Sequence, residues 1–92
     1  MNDIHTARSA AQDAIHYAIW LMADRQSKGR ESTFVRGHRL TRAFAWERML
    51  ATLAAAGITS RTSRPVDVVA AVDAWGDAQG WNAFCGRPAG EI

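Results

Sequence analysis

Leu40 to Ala56 reads LTRAFAWERMLATLAAA, and Gly57 and Ile58 follow it directly. At about 100° of turn per residue, Leu40, Ala43, Phe44, Trp46, Leu50, Ala51, Leu53 and Ala54 fall on one half of a helical cylinder. Thr41, Ala45, Arg48 and Thr52 fall on the other half. Alanine and leucine are strong helix formers, and the apolar period is helical rather than alternating. Gly57 suits the left-handed residue that follows a helix cap, with Ile58 folding back onto Leu53 in a Schellman ending. The spacing therefore predicts a central helix over about 40–56. Glu47 is out of place inside the apolar arc, where an unpaired carboxylate is costly. Its simpler reading is an edge position or an ion pair with a nearby arginine, and its sharper reading is a functional acid.

Outward from this helix, the N-terminal stretch repeats Ile4, Ala7, Ala11, Ala14, Ile15, Ala18 and Met22 at helical spacing, with Ile19 and Leu21 at the margins. Asn2 or Asp3 can cap a first helix over about 3–28, and Gly29 ends it. Its alanine seam permits close approach of a partner helix. The opposite face aligns His5, Ser9, Gln12, His16 and Trp20. Trp20 there is either covered by the C-terminal tail or exposed as an anchor for a partner. A third helix is expected over about 65–79, with Pro65 in its first turn and Ser63 as its cap. Its inward residues are Val68, Val69, Val72 and Trp75, and Asp67, Asp73 and Asp77 lie outward or flanking. Gly76 and Gly80 weaken its distal end. The remainder is expected to fold back as a turn or helical stub that lays Trp81 and Phe84 on the core. Residues 29–39 form a basic loop or a short extended piece, since Thr33, Phe34 and Val35 favour strands. The expected fold is all-α: a single domain over residues 1–92, built as a small three-helix bundle.

The chain has 92 residues, enough for one domain that buries roughly 60–65% of its unfolded surface. Cys85 is its only cysteine, which excludes an internal disulfide and any multi-cysteine zinc site. No basic flank followed by an apolar run opens the sequence, and no apolar stretch approaches the roughly 20 residues that span a bilayer. A soluble, cytoplasmic protein without a membrane partner is the expectation. Net charge is +2 but unevenly spread. Residues 28–64 carry eight Lys and Arg against Glu31 and Glu47, a net +6, and residues 65–92 carry Arg87 against four acids, a net −3.

Catalysis needs a positioned set of groups, and none is spelled out here. The sequence lacks a nucleophile elbow, a glycine-rich phosphate loop and a helix-borne HExxH. His5 and His16 are too far apart to share a metal on one helix, and Asp13 with His16 offers two ligands at most. No enzyme, metal or cofactor is expected. Arg30, Arg36, Arg39, Arg42, Arg61 and Arg64 are instead the candidate contacts to phosphate or to an acidic partner. A helix-turn-helix fails on the long 57–63 connection and on the acidic outer face of the third helix. Contact would come from loops and helix ends. The function expected is a small binding protein, regulatory or inhibitory, whose Arg-rich middle docks on nucleic acid or a nucleic-acid-handling complex. The alternative is a protein–protein inhibitor or adaptor without nucleic-acid affinity, such as a phage or mobile-element inhibitor of a host defence complex of the anti-CRISPR type. That protein would use Trp20 and His16. A homodimer through the first helix is a further option.

Overall fold

The computed structural model describes residues 4–26, 34–35, 38–39, 41–60 and 64–91, with side chains for 4–23, 41–60 and 64–90. Three helices build it: α1 (Ile4–Gln26), α2 (Arg42–Ala55) and α3 (Pro65–Gln79). Two antiparallel pairs of short strands complete it. The pair β1 (Phe34–Val35) and β2 (His38–Arg39) precedes α2, with Phe34 opposite Arg39. The pair β3 (Trp81–Asn82) and β4 (Arg87–Pro88) follows α3, with Trp81 opposite Pro88, and a 3-10 turn over Ala89–Glu91 comes after it. The architecture is the all-α three-helix bundle expected, with α1 packed on both other helices. Within the 29–39 segment expected to be a loop or short extended piece, the described residues 34–35 and 38–39 are extended and pair with each other.

The helix ends follow from local chemistry. Thr41 is extended and its hydroxyl accepts a hydrogen bond from the Phe44 amide at 3.1 Å, so α2 begins with a side-chain cap. At the other end Gly57 has φ 73°, its amide donates to Ala54 O, and the Ile58 amide donates to Leu53 O. That is the complete Schellman pair, and Leu53 and Ile58 are both buried in one core cluster. α3 starts at Pro65 as expected. Its cap residue is Arg64, which makes no side-chain cap bond, rather than Ser63, which lies outside the described residues together with Asn2, Asp3, Gly29 and Leu40.

The core is narrow. α1 contributes Ala11, Ala14, Ile15, Ala18 and Leu21, so Leu21 belongs to the stripe rather than its margin, while Ile4 at the helix start is exposed. α3 contributes Val68 and Val72, with Val69 and Trp75 half-buried. The expected inward face of α2 is corrected. The residues buried are Ala45, Met49, Thr52, Leu53 and Ala56, whereas Ala43, Phe44, Leu50, Ala51 and Ala54 are exposed and Trp46 is half-buried. These buried positions recur at i, i+4, i+7, i+8 and i+11, a sound helical stripe. The alanine seam of α1 lets α2 approach closely on Ala45, Thr52 and Ala56, with Met49 and Leu53 filling the remaining space. Thr52 tolerates burial because its hydroxyl donates to Arg48 O at 2.7 Å, with Met49 O at 3.2 Å. With the helix turned this way, Glu47 is exposed and its apparent conflict disappears.

Of the turn or helical stub expected for the C-terminal segment, the structure has the turn, at 83–86 between β3 and β4. It is closed by the Gly86 amide donating to Asn82 O at 2.8 Å and by the Cys85 amide donating to Asn82 Oδ1 at 3.0 Å. Trp81 packs half-buried on the core and Ala83 is fully inside, but Phe84 is 50% exposed. Gly76 and Gly80 do not loosen this end. Gly80 ends α3 at φ 66°, and Gly76 is buried beneath the Trp81 backbone, whose carbonyl a Cβ would strike.

Candidate functional site

Two surfaces answer to the residues singled out in the sequence. The first is the basic end, where β2 leads through Thr41 into α2. Arg39 closes β2, and Arg42 occupies the first position of α2. No acidic residue lies in the first turn of α2. A helix N-terminus carries roughly half a positive charge, so carboxylates stabilise that turn and a cation there adds to an already positive end. The Arg42 guanidinium reaches across to α1 and donates from Nη1 to Leu21 O at 3.3 Å. Arg30, Arg36 and Arg61 lie outside the described residues, as does the Arg39 side chain.

Arg64 is otherwise engaged. Its Nε donates to Asp67 Oδ2 at 2.8 Å and its Nη2 to Asp67 Oδ1 at 3.3 Å, a two-pronged pair one helical turn apart. The Asp67 hydrogen bond and charge raise the Arg64 pKa above its ordinary value. Being exposed, the pair is screened and adds little to stability.

The second surface is the α1 face of His16 and Trp20. Trp20 is half-buried and packs on the core cluster. His16 stacks on Phe84 with ring centroids 5.2 Å apart and donates Nε2–H to Phe84 O at 2.9 Å. One turn earlier, Gln12 fills the space beside Gly86. One turn earlier again, Arg8 lies over the Trp81 ring at 4.5 Å from its centroid. Arg8, Gln12 and His16 thus form a seam along α1 on which the β3–β4 turn is seated. Trp20, for which covering by the tail is one expectation, is half-buried against the core cluster, while Phe84 of the tail meets His16, which stays exposed. The two expected partner-binding residues sit one turn apart.

Sequence reasoning missed a third surface. With Ala45, Met49, Thr52 and Leu53 turned inward, α2 leaves a shallow depression on its outer flank, lined by Arg42, Ala43, Trp46, Glu47 and Leu50. Ala43, Trp46 and Leu50 form its apolar floor, and Arg42 and Glu47 stand on either side. The spacing alone carried the signal, since apolar residues at 43, 46 and 50 flanked by charges at 42 and 47 are a heptad pattern.

Among the described residues, no group of three or more His, Cys, Asp and Glu could hold a metal, and no helix is long and apolar enough to cross a membrane. Cys85 is exposed. No known protein family, curated protein or solved structure matches this chain.

Proposed function

We propose that this chain is a small non-enzymatic binding protein whose basic segment docks on nucleic acid or on a nucleoprotein complex, in a regulatory or inhibitory role. The observation that carries the reading is Arg42 at the first position of α2, in a first turn without any acid, shortly after Arg39 in β2. A cation at a helix N-terminus opposes the helix dipole, and an anion brought to that end is favoured by both. The net +6 of residues 28–64 against the net −3 of residues 65–92 supports the same assignment. The acids along α3 repel phosphate, which leaves loops and helix ends to make the contact. In this reading Arg30, Arg36, Arg39 and Arg42 meet phosphates, and Arg61 and Arg64 flank them.

The alternative, a protein inhibitor or adaptor acting through Trp20 and His16, draws less support, since Trp20 packs on the core and His16 is held by Phe84. Fluorescence anisotropy of labelled duplex DNA and single-stranded RNA, at two salt concentrations, tests the proposal. Binding that weakens steeply with salt, and is lost in a folded Arg36→Ala, Arg39→Ala, Arg42→Ala triple variant, is the expected result. Absence of binding at low salt, or undiminished binding by the triple variant, overturns it.

A further inference from the structure

Read in sevens, α2 places Ala43 and Leu50 at position a, Trp46 at position d, Arg42 at position g and Glu47 at position e. These are the five residues that line the outer depression. On the helical wheel Arg42 and Glu47 stand about 140° apart, one on each side of the apolar stripe. They are five residues apart, the offset at which g of one helix meets e of its neighbour in a parallel two-stranded pair.

We propose that the outer face of α2 pairs in parallel with α2 of a second copy of this chain, about a twofold axis running along the two helices. In that arrangement opposite flanks meet, so Arg42 of each copy faces Glu47 of the other, and the twofold makes the bridge twice. In an antiparallel pair like flanks meet, setting Arg42 toward Arg42 and Glu47 toward Glu47. The charges therefore select the parallel orientation. They also select the occupant, because the cation and the acid that the face requires of its partner are those that the face itself presents. Exposed Leu50 and half-buried Trp46 supply the apolar contact, and the outward-facing charge of Arg48 lies away from the seam. The hydrogen bond from Arg42 Nη1 to Leu21 O is compatible, since a guanidinium fork serves more than one acceptor.

The pairing has a structural consequence. Each β1–β2 hairpin immediately precedes its α2, so parallel helices bring both hairpins to the same end of the dimer. The inference does not depend on the nucleic-acid reading, although a doubled basic end would serve it. With 14 residues, α2 is about 21 Å long, and so short a seam gives a weak dimer.

Sedimentation velocity of the full chain, from roughly 10 µM to 1 mM, tests it. The 10.1 kDa chain is expected to shift from monomer to dimer across that range. Arg42→Glu alone and Glu47→Arg alone each weaken association several-fold, and an equal mixture of the two restores it, because both cross-pairs are then of opposite sign. Leu50→Glu abolishes it, with an unchanged circular dichroism spectrum. A wild-type chain that stays monomeric throughout, or a mixture no stronger than either single variant, overturns the pairing. Since nucleic-acid binding is read separately by anisotropy, a dimer that ignores nucleic acid would refute only the function, and a monomer that binds it would refute only the pairing.

Discussion

His16 and Phe84, 68 residues apart in the chain, meet twice: ring on ring at 5.2 Å, and imidazole Nε2–H on carbonyl oxygen at 2.9 Å. With Arg8 over Trp81 one end of the same seam, these contacts hold the C-terminal turn on α1. Removing the imidazole loses one hydrogen bond and one ring contact at a solvent-exposed edge. His16→Ala is expected to cost about 1 kcal/mol and to lower Tm by roughly 4–8 °C. Thermal unfolding by circular dichroism measures this, and an unchanged Tm would show that the turn is seated by its other contacts, Trp81 and Ala83 on the core with Arg8 and Gln12 beside them.

Gly76 and Gly57 are both required, for different reasons. A methyl on Gly76 drives into the Trp81 carbonyl oxygen, so α3 and β3 must part. A methyl on Gly57 meets nothing within 4 Å but must adopt φ 73°. Gly57→Ala is expected to cost about 1–2 kcal/mol from the left-handed backbone alone. Gly76→Ala is expected to cost about 1–3 kcal/mol and also to displace the β3–β4 turn. Urea unfolding compares the two, and amide exchange in residues 81–88 distinguishes them, since only the Gly76 change should speed it.

How much of this was legible in the sequence depended on punctuation. α3 could be delimited because Pro65 and Gly80 mark its two ends, and the Schellman ending because Gly57 and Ile58 follow an alanine run. The rotation of α2 was not legible, because alanine fits either half of the cylinder and the large residues then decide the arc. The narrow α1 seam reverses that preference, and a neighbour's width is not written in α2 itself. The tail could be placed on this face of α1, but which of its residues meet Arg8, Gln12 and His16 was hidden, since those partners lie some seventy positions away. The β-favouring Phe34 and Val35 announced a strand, while nothing in His38 and Arg39 announced its mate.

The rotation of α2 makes a direct prediction about adjacent residues. Met49 is fully buried and Leu50 is 36% exposed. Met49→Ala is expected to cost about 2–5 kcal/mol through lost burial and a residual cavity, whereas Leu50→Ala costs under about 1 kcal/mol. Denaturant titrations of the two variants at low protein concentration decide the matter. Equal costs, or a larger cost at Leu50, would refute the inward face assigned to α2.

Arg64 offers a way to strengthen the proposed function rather than destroy it. Asp67 holds both prongs of its guanidinium, and a phosphate must compete with that carboxylate for the same donors. Asp67→Asn removes the competing charge, keeps the shape, and leaves the start of α3 capped by its backbone, where the Arg64 carbonyl accepts from the residue 67 and 68 amides. If Arg64 lies along the nucleic-acid path, the substitution raises affinity at low salt and steepens the logarithmic salt dependence by about one phosphate contact. The double change Arg64→Ala, Asp67→Asn separates the two parts of this effect. It should abolish the added slope, while the general gain from removing an acid from the face persists. Anisotropy titrations over a salt series read both quantities. A slope equal in wild type and Asp67→Asn would mean that Arg64 serves only the start of α3, and the contact surface would then shrink to the hairpin and the first turn of α2.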